Sequence, residues 1–209
     1  MNQKGLINSI IKSGKQITNR SFNLILRNNS SNFFHYVIEG TSDAINKQKP
    51  VKVFHWFDNF WLFLEVIFEK IMKKVGKRHE FQMNTRISLS VFQGKDSNIG
   101  KYQLFRAEWD DYNNPEEKHA QPHWHITSSQ AIEKTLKEHA YVLNEPEFLY
   151  EFEREKQKVI DIKQIHFAMN GDWQNNRDHI HKIDNEQQVV RWLKGMLNHI
   201  RTELERFNN

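Results

Sequence analysis

Histidine is the residue type whose placement in this sequence most suggests chemistry. The chain has eleven histidines, of which His119, His123 and His125 fall within seven residues, and His179 and His181 form a second His-x-His pair. Residues two apart in a β-strand project from the same face, so the imidazoles of His123 and His125 could converge on one metal ion or one phosphate. These two residues are therefore the first candidates for a functional site.

An acidic and a basic residue in a preceding segment could complete such a site. Arg106 and Glu108 alternate in the run FRAEWD, and two imidazoles with one carboxylate suit zinc, iron or manganese with an open coordination position. We therefore take His123, His125 and Glu108 as candidate ligands for a divalent metal. The predicted catalytic residues are His125 as base or metal ligand, His123 as its partner, Glu108 as ligand or orienting carboxylate, and Arg106 on developing negative charge.

This pattern also has a simpler structural interpretation. A His-x-His pair is a weak motif by itself, and the same residues could line a partly solvated face of a sheet. His179 and His181 lie in a polar stretch, where solvated side chains are the simpler explanation. The metal site therefore depends on whether His123, His125 and Glu108 meet around one centre with Arg106 nearby.

Three alternating segments must position these residues. Residues 85–93, 102–111 and 122–127 each place apolar and polar side chains on opposite sides, which is typical of half-buried strands. We expect an antiparallel meander with one face packed on helices. The other face would carry the polar residues Ser88, Ser90, Arg106, Glu108, His123 and His125.

Two helices are predicted to cover the apolar face. Residues 56–75 are rich in aromatic side chains at three- and four-residue spacing and are followed by Gly76, so they predict a central helix. Residues 185–207 carry one apolar stripe and predict a C-terminal helix. The expected fold class is α+β, as a single domain over residues 1–209, with a basic N-terminal segment 1–20 that could form an amphipathic helix or be mobile.

Composition excludes several classes of protein. With 12% aromatic residues the chain is not of a disordered type, and with no cysteine it has neither thiolate metal sites nor disulfides. The apolar stretch 54–72 contains Asp58, Glu65 and Glu69, which argues against a membrane span, and the N-terminus makes a poor signal peptide. We expect a soluble, cytoplasmic protein without a membrane partner.

The densest cationic cluster lies at the end of the predicted central helix. It consists of Lys70, Lys73, Lys74, Lys77 and Arg78 and could contact the phosphates of a nucleic acid. A solvated helix end that complements its own dipole explains the cluster equally well.

No phosphate-binding glycine loop, nucleophile elbow or dinucleotide fingerprint occurs in the sequence. The function expected first is therefore a non-catalytic binding subunit of a bacterial or phage assembly, with a protein partner or a second copy of the chain and with a nucleic-acid contact through the cationic cluster or the segment from Lys4 to Arg20. The alternative is a His-dependent, metal-assisted hydrolase or nuclease that acts on a phosphodiester or another anionic ester.

Overall fold

The computed structural model describes residues 2–75, 78–97, 101–111, 122–126 and 185–208, together with the helical positions 147, 150 and 154. Within these residues the chain forms one sheet of eight antiparallel strands and two helices. The elements in chain order are α1 (Gln3–Thr18), β1 (Leu24–Ser30), β2 (Phe33–Ile38), β3 (Ser42–Asn46), β4 (Lys49–Phe57), β5 (Phe60–Val75), β6 (Arg78–Gln93), β7 (Tyr102–Asp110), β8 (His123–Ile126) and α2 (Glu186–Asn208).

The strand order of the sheet is β1-β2-β5-β6-β7-β8. The hairpin of β3 and β4 lies off this path, because β4 pairs with the first residues of β5 and β2 pairs with the middle of β5. The three predicted strands lie in β6, β7 and β8, which are neighbours in an antiparallel meander. That part of the fold prediction is confirmed.

The predicted central helix over 56–75 is wrong, because this segment forms the end of β4 and the whole of β5. Trp61 and Phe63 are buried on one face of β5, and Leu62 and Leu64 are buried on the other. A strand buried on both faces is apolar at nearly every position, so residues three and four apart are apolar as well and imitate a helical period. The chain reverses between β4 and β5 at Asp58, whose φ is 43°.

Two helices pack on the face of the sheet that carries Leu62, Leu64 and Leu89. The C-terminal one, α2, confirms the helix predicted over 185–207, and the Asn185 side chain caps it by accepting a hydrogen bond from the Gln188 amide at 3.0 Å. The N-terminal helix α1 contacts α2 and lies within the basic segment 1–20. Its apolar stripe of Leu6, Ile7 and Ile10 is buried, so this segment contributes to the core.

The β3–β4 hairpin covers part of the opposite, polar face of the sheet. Ser90 is fully buried there and donates a hydrogen bond to Asn46 Oδ1 at 3.3 Å. Ser88 is also buried, and it faces Glu108 across the pair of β6 and β7. The hairpin therefore covers the centre of the polar face, whereas Glu108 and the two histidines lie at the edge of the covered area.

Part of the prediction lies outside the described residues. The single-domain prediction runs through 127–184, of which only residues 147, 150 and 154 are described. It stays a prediction, as does mobility of the first twenty residues.

Candidate metal centre

Strand register brings the predicted site residues together. Arg106 faces His125 and Glu108 faces His123 across the antiparallel pair of β7 and β8. All four side chains alternate with the apolar residues Ala107 and Trp124, so they project from the polar face. The pairing therefore concentrates two imidazoles, one carboxylate and one guanidinium on a patch two strands wide.

Three potential ligand atoms converge at this patch. Nε2 of His125 lies 2.8 Å from Glu108 Oε2 and 2.9 Å from His123 Nε2, and His123 Nε2 lies 3.7 Å from the same carboxylate oxygen. Glu108, His123 and His125 form the group of potential metal ligands found among the described residues. The imidazole of His125 is 44% exposed, so the centre is open to solvent on one side.

The two short contacts at His125 Nε2 cannot both be hydrogen bonds donated by its one N–H. The two short contacts diverge by about 80° at His125 Nε2, so a single N–H cannot point along both of them. These three atoms would hold a divalent cation from one side, and the other side would stay open to water or substrate, as in catalytic metal sites.

The second oxygen of Glu108 is fixed by two cations. Lys47 Nζ donates a hydrogen bond to Oε1 at 2.8 Å, and Arg106 Nε lies 2.9 Å from the same oxygen. Burial raises the pKa of Glu108, but the hydrogen bond and charge of Lys47 and the charges of Arg106 and His125 outweigh it and lower the pKa to about 2. Glu108 is therefore an ionised carboxylate, oriented by its neighbours, throughout the neutral pH range.

Lys47 is a residue of the candidate site that sequence reasoning missed. It lies with Gln48 in the two-residue turn between β3 and β4, and the φ angles of these residues are 49° and 64°. Such turns favour glycine and asparagine, because other side chains are strained at positive φ. The only sequence signal was a turn between two short alternating segments, and nothing in it indicated that the turn reaches Glu108, sixty-one residues away.

The structure gives Arg106 a different immediate contact from the one expected. Its guanidinium forms an ion pair with Glu108, and its side chain is only 17% exposed. This contact orients the carboxylate, and a contact with substrate stays a prediction. His119, His179 and His181 lie outside the described residues.

The predicted cationic cluster lies on a hairpin and not at the end of a helix. Lys70, Lys73 and Lys74 belong to the last part of β5, and Arg78 begins β6. The prediction of a helix end fails for the same reason as the central helix, and a helix dipole no longer explains these charges. Lys77 lies outside the described residues.

A second buried charge was also missed by the sequence reasoning. Lys101 is 4% exposed and donates hydrogen bonds to Ser42 Oγ at 2.7 Å, the Asp43 carbonyl at 2.8 Å and the Asp96 carbonyl at 3.1 Å. Its ammonium group also lies 4.8 Å from the ring centre of Trp61. Lys101 thus ties the β3–β4 hairpin to the segment that precedes β7.

Neither helix in the described parts of the chain has the length and apolar character needed to cross a bilayer. Comparison of the chain with protein-family models, curated proteins and solved structures gave no match.

Proposed function

We propose that this protein binds a divalent transition metal through Glu108, His123 and His125 and uses it to hydrolyse an anionic ester such as a phosphodiester. The observation that supports this most is the triangle of His123 Nε2, His125 Nε2 and Glu108 Oε2, with sides of 2.9, 2.8 and 3.7 Å. Two imidazoles and a carboxylate with an open side suit zinc, iron or manganese.

The surroundings of the triangle support a hydrolytic role. A metal in an open site of this kind lowers the pKa of its bound water toward neutrality and polarises the ester group. Lys47 and Arg106 place two positive charges next to Glu108, so the patch carries excess positive charge even before a metal binds. An anionic substrate is therefore favoured over a neutral or cationic one.

The first test is metal binding, with His125→Ala as the site variant and His35→Ala as its matched control. His35 Nε2 also lies 3.2 Å from a glutamate, Glu65, but it belongs to no group of three potential ligands among the described residues. We expect isothermal titration with zinc to show one site in the wild type, a loss of affinity of more than about 100-fold in His125→Ala, and wild-type affinity in His35→Ala. Equal affinity in all three proteins would refute the metal site.

The second test is activity. A panel of phosphodiesters and carboxylic esters, assayed after zinc, iron(II) or manganese(II) loading, should give turnover that disappears in His125→Ala and survives in His35→Ala. Far-ultraviolet circular dichroism of each variant controls for folding. Metal binding without turnover would favour the other predicted function, a non-catalytic binding subunit of an assembly. The metal would then have a structural role.

A further inference from the structure

The two longest strands extend beyond the rest of the described sheet. β2 pairs with β5 as far as Glu69, and β7 pairs with β6 only from Arg86 onward. Among the described residues, 70–75 and 78–83 are therefore paired in the sheet only with each other, and we call these residues the β-arm. Six residue pairs at about 3.3 Å per residue make it about 20 Å long.

The segment that forms the β-arm is strongly basic. Residues 70–83 contain five lysines and arginines and one acidic residue, Glu80, which gives a charge of +4. Residues 1–20 also carry +4, but most of them form α1, whose apolar stripe is buried. The β-arm is thus a positively charged two-stranded ribbon, and its partner should be polyanionic.

Exposed apolar side chains accompany these charges. Met72 and Phe81 face each other across the β-arm and are 61% and 68% exposed. Lys70 Nζ lies 4.9 Å from the ring centre of Phe81 on the same face. Exposed apolar side chains flanked by cations suit contact with base edges in a groove, such as the thymine methyl group, while the lysines meet the backbone phosphates.

A membrane surface fits this arrangement less well. A hairpin that enters a bilayer needs apolar residues at its tip, whereas Lys73, Lys74 and Arg78 lie in the last pairs of the β-arm. Lys73 and Arg78 project from the face opposite to Lys70, so cations lie on both faces of the ribbon. Charge on both faces suits a groove with phosphates along both walls.

We infer that the β-arm binds double-stranded DNA by entering a groove. The major groove of B-form DNA, about 12 Å wide, admits a two-stranded β-ribbon, and Lys70, Lys73 and Arg78 would contact its phosphates. This inference goes beyond the proposed metal chemistry and does not depend on it.

Fluorescence anisotropy with a labelled duplex of about twenty base pairs tests the inference. We expect wild-type affinity to fall by about 100-fold between 50 and 200 mM salt, as for about four phosphate contacts. Lys73→Gln/Arg78→Gln should bind at least about 10-fold more weakly at low salt and reduce the logarithmic salt slope by about 2. Arg27→Gln/Arg191→Gln removes the same charge from exposed positions of β1 and α2 and should bind like the wild type.

Three further measurements make the result decisive. Retained DNA binding by His125→Ala would show that the β-arm acts independently of the metal site. Tighter binding to the single strand, or to vesicles of phosphatidylserine and phosphatidylcholine, would overturn the assignment to duplex DNA. Equal weakening by the two double variants would also overturn it, because binding would then reflect net charge alone.

Discussion

Glu108 and Lys101 are two charged groups beneath the same β3–β4 hairpin, and they differ in how their hydrogen bonds are matched. The ammonium group of Lys101 has three N–H bonds and three oxygen acceptors within 3.1 Å. At Glu108, Oε1 contacts the cations of Lys47 and Arg106. Oε2 converges with the Nε2 atoms of His123 and His125, and the one N–H of His125 Nε2 cannot donate a hydrogen bond along both of its short contacts. All three N–H bonds of the first cluster therefore have acceptors, whereas the second cluster offers three donor atoms that we propose bind a cation.

This difference separates a structural charge from a candidate functional one. Burial lowers the pKa of Lys101, against the opposing charges of Asp96 and Asp43, and its three N–H bonds are all taken up by oxygen acceptors of the protein. Glu108 lies at an open margin beside a half-exposed imidazole. We therefore expect changes at Lys101 to act on folding and changes around Glu108 to act on metal binding.

The largest effect on stability should come from Lys101→Met. The substitution keeps most of the apolar stem beside Trp61 but leaves the Asp43 carbonyl without this donor and the Asp96 carbonyl with only the hydrogen bond from Ser42 Oγ. We expect the free energy of unfolding in urea to fall by about 2 to 4 kcal/mol, while zinc affinity of the remaining folded protein is unchanged. A stability loss below about 1 kcal/mol, or a specific loss of zinc binding, would break the distinction between the two clusters.

The next effect is the dependence of stability on acid pH. Because the pKa of Glu108 falls from 4.5 to about 2 on folding, its ionised form stabilises the folded state above pH 4.5. That contribution, at most about 3 kcal/mol, should be lost as the pH falls from 4.5 toward 2. Urea unfolding of the metal-free wild type and of Glu108→Gln, compared between pH 6 and 2.5, should give a stability difference that shrinks with falling pH. A constant difference would show that Lys47 and Arg106 do not act on the charge of Glu108.

The sequence predicted the half-buried strands of this fold and misassigned the fully buried one. In β6 and β7, alternating polar positions such as Ser88 and Arg106 reveal the two-residue period. In β5 the polar face is covered as well, so Trp61 and Phe63 replace the polar residues that would have revealed the strand. The remaining signals were the Asp58-Asn59 pair and the aromatic and β-branched content, both of which favour a hairpin over a helix.

Only the part of the candidate site that lies on adjacent strands was predictable from the sequence. Once 102–111 and 122–127 are taken as adjacent strands, placing Glu108 beside His123 follows from the two-residue period. Lys47 comes from a hairpin that packs across the sheet, and no local pattern encodes such a contact. The same limit applies to the β-arm, whose cationic cluster was visible in sequence although its two-stranded form was not.

The smallest effect concerns the strained turn that carries Lys47. Gln48→Gly should relieve positive-φ strain and raise the free energy of unfolding by about 0.5 to 1 kcal/mol, with zinc affinity unchanged, because Gln48 is exposed at the turn. Lys47→Gly relieves comparable strain at the adjacent residue but removes the 2.8 Å contact with Glu108 Oε1. We expect it to gain less stability than Gln48→Gly and to weaken zinc binding by about 10-fold, since Glu108 loses one of the two groups that orient it. Urea unfolding and zinc titration of both variants isolate this contact, because the backbone change is nearly the same in each. Equal zinc affinities of Lys47→Gly and Gln48→Gly would mean that Lys47 does not support metal binding. Lys47 would then have only a structural role, like Lys101.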